Sequence, residues 1–306
     1  MGKIAFVFAG QGSQYPGMGE DIYNNSKAGA EVFESLEAIR PGLKKLCFES
    51  EAAELSVTAN TQPAMFTVDY ACAAALEEAG IKADGAAGFS LGEIPALTFS
   101  GAFSLEDGFK FVMKRAEFMQ KATEAAPGAM IAVLRLDDET VEKLCTETGG
   151  VYPVNYNCPG QLVCAGEKEK IEILTAKVAE AGGRAMPLAV SGAFHCPHMD
   201  SAADAMAEYI SGSVLNTFAI AVYSNTEAKP YSDISLVSKQ INNPVRWTET
   251  INNMINDGYD IFVEVGAGKT LSGLVKKISR DVAVFNVQTY ADVCAVAEKI
   301  KENSNV

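Results

Sequence analysis

Asp84-Gly85-Ala86-Ala87-Gly88-Phe89-Ser90-Leu91-Gly92-Glu93 reads as a strand of small residues that runs through a glycine turn into a helix. The turn, Gly88-Phe89-Ser90-Leu91-Gly92, fits G-x-S-x-G. Its glycines let the backbone fold sharply and leave the serine hydroxyl exposed. A helix starting after Ser90 aims free N–H groups and a positive dipole end at any oxyanion formed there. Two similar junctions carry residues 4–8 into Ala9-Gly10-Gln11-Gly12-Ser13-Gln14, and residues 260–265 into Gly266-Ala267-Gly268-Lys269-Thr270. Apolar segments at 219–223 and 282–287 read as further strands. Such strands alternating with helices predict an α/β fold whose mostly parallel sheet is covered on both faces.

The middle of the chain has another order. Strands at 129–136, 151–155, 161–165 and 184–190, with helices at 138–148 and 168–181, spell β-α-β-β-α-β, the ferredoxin-like unit. Pro127-Gly128 and Ser191-Gly192 bracket it with breaker residues. Residues 128–191 are therefore expected to be an inserted subdomain, and 1–127 with 192–306 the discontinuous major domain, with a ligand cleft between them. Elsewhere Pro63 is expected to open a buried helix over 64–79, Ser104 with Asp107 to cap a helix reaching about residue 122, and Met199, Ala202, Ala203, Met206, Tyr209 and Ile210 to mark a helical face.

A serine nucleophile needs a base, and the chain has only two histidines, His195 and His198. His195 falls at the return from the insert to the major domain, near the expected cleft. His195-x-x-His198 with Asp200 could suggest a metal, but no third ligand has clear spacing, so none is expected. Arg115 is flanked at helical spacing by Phe111, Val112, Phe118 and Met119, which puts a guanidinium on a buried helix face. It must be paired there, either by a structural carboxylate or by a substrate carboxylate held bidentately. Gly10-Gln11-Gly12 has Tyr15 where a dinucleotide fingerprint wants its third glycine, and Gly268-Lys269-Thr270 has Val263 where a P-loop wants its first. Neither supports nucleotide binding.

Hydrophobic residues make up 48% of the 306 and charged residues 21%, as in ordinary globular proteins. No apolar run approaches a membrane span, and the N-terminus lacks the basic region and cleavage site of a signal peptide, so a cytoplasmic protein is expected. Seven scattered cysteines without a Cys-x-x-Cys pair fit reduced thiols. A net charge of −14 repels nucleic acid and anionic lipid, and an acidic protein partner would need a local basic patch.

Together these residues resemble a family. Gly10-Gln11-Gly12-Ser13-Gln14, Thr61-Gln62-Pro63-Ala64, Gly88 to Glu93, Arg115 with Met119, Asn155-Tyr156-Asn157-Cys158-Pro159-Gly160-Gln161, Gly192-Ala193-Phe194-His195, Asn242-Asn243-Pro244-Val245-Arg246-Trp247 and Glu264 to Lys269 are similar, in order and over almost the whole chain, to malonyl-CoA:acyl-carrier-protein transacylases. The resemblance implies a hydrolase-like domain with a ferredoxin-like insert. It implies Ser90 as nucleophile, His195 as its base, and the Gln11 and Leu91 backbone N–H groups as oxyanion hole. Arg115 would bind the malonyl carboxylate, with Met119, Gln62 and Asn157 around the substrate. A main-chain carbonyl at Gln240 would orient the histidine, with Asn225 nearby. Gly192-Ala193-Phe194-His195 looks like the malonyl-selecting form of its motif. Many relatives have histidine where this chain has Phe89, which removes a polar group beside the serine.

The expected reaction carries a malonyl group from malonyl-CoA, through an ester on Ser90, to the phosphopantetheine thiol of acyl carrier protein, supplying fatty-acid elongation without metal or redox cofactor. Arg184, Lys269, Lys276, Lys277 and Arg280 are candidates for a carrier-protein patch, or are ordinary solvated charges. A monomer is expected. Two other readings use the same residues: a free-standing enzyme that loads a polyketide carrier, and a serine thioesterase or hydrolase in which water is the acceptor and Arg115 has no required role. A non-catalytic carrier-binding scaffold would leave the serine, histidine and arginine unused.

Overall fold

A computed structural model describes residues 2–190, 192–213 and 215–304. The described residues hold nine strands: β1 (Lys3–Phe8), β2 (Gly85–Gly88), β3 (Ala129–Leu134), β4 (Val151–Cys158), β5 (Gln161–Gly166), β6 (Arg184–Pro187), β7 (Ala221–Tyr223), β8 (Tyr259–Val265) and β9 (Ala283–Val287). Five form a parallel sheet in the order β7-β2-β1-β8-β9. In β1 the side chains of Ile4, Phe6 and Phe8 enter one core and those of Ala5 and Val7 another, so both faces of the sheet are covered. Phe6 and Phe8 both pack on Phe99, with ring centroids 5.6 and 5.7 Å away, which fixes the Glu93–Phe99 helix against the sheet. The glycine turns all leave the carboxyl ends of β1, β2 and β8, where open α/β sheets place their ligand crevices.

The other four strands form the expected antiparallel ferredoxin-like sheet, in the order β4-β5-β3-β6. Val141, Cys145, Ile171, Leu174 and Val178 from its two helices bury one face. Met130, Ala132, Val163 and Ala165 on the other face join the main core. A seam ties β4 to the segment that precedes the Trp247–Asn256 helix of the major domain. Val245 donates to Val154 O (2.8 Å) and accepts from Tyr156 N–H (3.0 Å).

Some elements differ from expectation. Pro63 does not open its helix; the helix runs from Thr58 to Glu78 with Pro63 inside it. The bond lost to the missing proline N–H is replaced from outside, since Arg40 Nη1 donates to Ala59 O (3.3 Å). Strand β4 continues to Cys158 through two register irregularities, between Pro153 and Asn155 and between Tyr156 and Cys158. The strand expected from 219 begins at Ala221, because Ala219 N–H is bonded to Ser100 O (2.8 Å). The Ser104 cap is present, with the hydroxyl accepting from Asp107 N–H at 3.1 Å, and its helix extends to Ala125. Ser191, one of the bracketing residues, lies outside the described residues.

The turn after β8 rests on a buried acid. A Cβ at Gly266 would lie 1.7 Å from Asp69 Oδ1, so only glycine fits over that carboxyl. Burial, and then the charge of Glu264, pushes the Asp69 carboxyl well above its ordinary range, with the Ala267 N–H partly offsetting this. The native state thus holds a proton that the unfolded chain releases, and stability falls as pH rises above the unfolded value of 3.8. Asp69→Asn should flatten this loss. Calorimetric Tm values at pH 5 and pH 8 should fall less with pH in the variant than in the parent, and equal slopes would contradict the protonated acid.

Candidate functional site

The serine turn is held by packing on both sides. A Cβ on Gly88 would lie 2.0 Å from the Gly92 carbonyl, and one on Gly92 would lie 2.2 Å from Phe8 O. Between them Ser90 takes a left-handed backbone with φ 53°. A non-glycine residue there is strained by about 1–2 kcal/mol. Two side chains hold it. Asn225 Oδ1 accepts from Ser90 N–H at 2.7 Å, and Gln240 Nε2 donates to Ser90 O at 2.5 Å. Asn225 is anchored in turn by Nδ2 donating to Gly88 O (2.6 Å) and by its own N–H donating to Glu93 Oε2 (2.6 Å).

His195 approaches from the far side of the insert, itself with φ 61°. Its Nδ1 is 2.8 Å from Gln240 O, and a carbonyl only accepts, so Nδ1 carries the proton. Nε2 is then the acceptor that faces Ser90 Oγ at 2.7 Å. Burial, and next the nearby Arg115 charge, lowers the His195 pKa from 6.5 to about 4, so the ring is neutral at neutral pH. Both ring nitrogens are occupied, Asp200 Oδ1 accepts from Asn242, and His198 faces Cys196, so the His195-x-x-His198 segment is employed in separate contacts.

Arg115 lies on the buried face that its helical neighbours indicate, 1% exposed. Its Nη2 donates to Gln240 Oε1 (2.9 Å) and to Ser90 Oγ (3.2 Å), and Nε is buried with no hydrogen-bond partner among the described residues. Among the described residues no carboxylate lies within 4.0 Å of the guanidinium. Burial, partly offset by the more distant Glu93, lowers its pKa only to about 10, so it stays charged. The structural-carboxylate alternative for this residue is therefore not what the fold contains. A buried cation with unmet donors faces a cavity of about 70 Å³ lined by Gln11, Gln62, Ser90, Met119, His195 and Phe89 among others.

Gln62 Nε2 contacts Met119 Sδ at 3.4 Å, while its Oε1 is buried with no hydrogen-bond partner among the described residues. Asn157 lines the neighbouring cavity of about 200 Å³ rather than the serine's own, and Asn155 lines both. The backbone N–H groups of Gln11 and Leu91 make no hydrogen bond among the described residues. Lys269, Lys276, Lys277, Arg280 and Arg184 are exposed and make no ion pair within 4.0 Å among the described residues. The first four lie on or beside the Thr270–Ile278 helix, whose Thr270, Leu271 and Leu274 wall the outer cavity.

Sequence reasoning missed three features. The Gln240 side chain, beyond its carbonyl, joins Ser90 to Arg115. Asn155 is a wall residue of both cavities. Glu93 is a buried carboxylate accepting from Asn225 and from the Tyr231 hydroxyl. Glu93 was readable by the logic used for Arg115, since Ala96 and Leu97 flank it at helical spacing. Tyr231 gave no local signal.

The constellation can pass a proton from a hydroxyl to a neutral imidazole beside a fixed positive charge. From pH 8 down to about pH 5, the His195 ring should keep its neutral, Nδ1-protonated signature in ¹⁵N-edited NMR. A ring that charges near its ordinary 6.5 would contradict the burial and the Arg115 repulsion inferred for it.

Comparison with known proteins places this geometry in a family. The acyl transferase domain model matches residues 5–305. The malonyl CoA-acyl carrier protein transacylase of Bacillus subtilis is 38% identical over 315 residues, covering 100% of this chain and 99% of that protein. The crystal structure of the transacylase of that name from Clostridium perfringens superposes with a TM-score of 0.94 at 39% identity, covering 99% of this chain and 98% of the other. A malonyl-transacylase solved in complex with its type II polyketide acyl-carrier protein gives a TM-score of 0.93 at 34% identity, over 97% of this chain and 99% of that one. The chain belongs to the acyl transferase domain family and, within it, to the malonyl-CoA:acyl-carrier-protein transacylases.

Proposed function

We propose that this acyltransferase moves a malonyl group from malonyl-CoA to the phosphopantetheine thiol of an acyl carrier protein by way of a malonyl ester on Ser90. One observation carries the substrate assignment. Arg115 is a buried, charged guanidinium 3.2 Å from the serine hydroxyl, with no carboxylate in contact among the described residues. A buried charge without a counter-ion in contact is destabilising by several kcal/mol, and a carboxylate on the acyl group supplies that contact.

In this mechanism His195 Nε2 takes the Ser90 proton as Oγ attacks the thioester carbonyl. The oxyanion settles on the unengaged N–H groups of Gln11 and Leu91. The tetrahedral intermediate collapses, the C–S bond breaks, and the proton on His195 passes to the departing coenzyme A thiolate. The carrier's thiol then gives its proton to His195 and attacks the ester, and Ser90 recovers its hydrogen as the C–O bond breaks, giving ping-pong kinetics. Gln62 and Met119 border the malonyl group, and Asn157 lines the approach used by the pantetheine arm. The Gln240 carbonyl holds the histidine tautomer, and Asn225 holds the serine turn. These steps call for no metal or redox group.

The carrier is read as that of fatty-acid synthesis. The 34% identity to a polyketide-system enzyme keeps polyketide loading as a second reading of the same chemistry. A thioesterase is disfavoured by the charge at Arg115, which hydrolysis by itself does not need. We place the enzyme in the cytoplasm as a monomer; among the described residues no helix is long and apolar enough to cross a membrane.

Intact mass spectrometry after mixing with malonyl-CoA should find one malonyl adduct on Ser90. Ser90→Ala should show none, and an unmodified folded wild-type protein would refute the mechanism. The outer basic residues are proposed to meet the acidic carrier. Lys276→Glu with Lys277→Glu should raise the KM for carrier protein roughly tenfold at low salt, where exposed charges steer most strongly. The KM for malonyl-CoA should be unchanged, and equal effects on both would remove the patch.

A further inference from the structure

Glu93 follows the serine turn directly and is 1% exposed. A continuous set of hydrogen bonds leads from it to Arg115. Its Oε2 accepts from Asn225 N–H (2.6 Å), Gln240 Nε2 donates to Asn225 Oδ1 (3.3 Å), and Gln240 Oε1 accepts from Arg115 Nη2 (2.9 Å). Two uncharged amides thus separate a buried acid from a buried base. Among the described residues, no cation lies within 4.0 Å of Glu93 and no carboxylate within 4.0 Å of Arg115. The groups facing Glu93 are the Tyr231 hydroxyl, the Asn225 N–H and, at longer range, Arg115; Glu227 acts on Tyr231 from outside. Each charge is therefore the other's partner at a distance, and Arg115 is also the group that faces the cavity beside Ser90.

We propose that Glu93 sets the selectivity of Arg115 for carboxylated acyl groups, and that it takes up a proton from solvent when such a carboxylate docks on the guanidinium. The proposal rests on the malonyl assignment above. Its sign follows from the geometry. A substrate carboxylate in contact with Arg115 cancels the field that favours ionised Glu93, so the acid is left buried with less compensation and its affinity for a proton rises. The free protein stands at the point where such a change matters: burial raises the Glu93 pKa to about 7, against the lowering effects of Tyr231, Asn225 and Arg115 in that order. By linkage, malonyl-CoA should bind more tightly as pH falls through this range, by up to about tenfold for each unit that binding adds to the Glu93 pKa. An acyl group without a carboxylate leaves the balance untouched. Selectivity then depends on an exchange of charges, in which the substrate's carboxylate displaces the electrostatic role of the protein's own.

Titration calorimetry near pH 7 in phosphate and in Tris, whose protonation heats differ, counts the protons moved. With Ser90→Ala, which keeps the complex at the binding stage, malonyl-CoA should take up a measurable fraction of a proton. Acetyl-CoA, which shares every ionisable group of the coenzyme, should take up none. Adding Glu93→Gln should abolish the uptake and make malonyl-CoA binding at pH 8 several-fold tighter, because the amide mimics the protonated acid. Should that variant fold poorly, Tyr231→Phe serves instead. It removes a hydrogen bond that holds the carboxylate ionised, so the pH of greatest uptake should move upward. A purely structural Glu93 would move neither readout. Malonyl-CoA binding without proton uptake, or uptake that persists in the Glu93→Gln background, overturns this inference while sparing the transferase reading. Absence of malonyl-CoA binding to the folded protein overturns that reading itself.

Discussion

The left-handed backbone at Ser90 is the constraint on which the site depends. Strain of about 1–2 kcal/mol persists there because the surroundings over-determine the turn. Gly88 and Gly92 have no room for a Cβ, and the serine's own N–H and C=O are bound by Asn225 and Gln240. Two such bonds contribute about 0.5–1.5 kcal/mol each, enough to offset the strain. Asn225 takes the Ser90 N–H, while the N–H of Leu91 makes no hydrogen bond among the described residues. In the mechanism proposed above, that free N–H is the donor available to the developing negative charge.

Gln240 performs three separate tasks from one helix end. Its carbonyl sets the His195 tautomer, its Nε2 supports Ser90, and its Oε1 holds Arg115. An amide suits the last task better than a carboxylate would. A carboxylate at that position would form a tight ion pair and leave little field in the cavity. A neutral acceptor positions the guanidinium and leaves its charge available. The same reasoning applies to Glu93, a buried acid that two amides separate from Arg115.

Much of this was legible in the chain because it was written in local patterns. The order of strands and helices gave both sheets, the paired glycines gave the turn, and the apolar residues at ±3 and ±4 put Arg115 inside. What could not be read depends on contacts between distant segments. Pro63 looks like a helix start, yet Arg40, 19 residues from Ala59, supplies the donor that lets the helix begin earlier. The Gln240 side chain reaches Ser90 across 150 positions, and no spacing rule links them. The irregularities in β4 arise from its pairing with β5, while its seam to Val245 lies next to Asn155. Glu93 differs from these. Apolar neighbours at helical spacing, Ala96 and Leu97, mark it as Phe111 and Met119 mark Arg115, and only its position in the first turn of a helix, where acids usually meet solvent, disguised it.

Phe89 shows how the rest of the cleft answers to the charge. Its ring meets Trp247 edge-on at 5.4 Å and lines both the serine's cavity and the outer one. With Met119, Met130, Val190 and Phe194, it gives the acyl cavity a largely apolar wall. These apolar side chains offer a carboxylate no donor, which leaves the donors to the polar part of the lining, Arg115 and Gln62 among it. It also lowers the local dielectric, so the attraction of Arg115 acts with less screening than at a polar surface. A histidine at position 89 would share the work of orienting the acyl end. Phenylalanine cannot, and in the mechanism proposed above that work falls to the Arg115 guanidinium and the Gln62 amide, which line the same cavity.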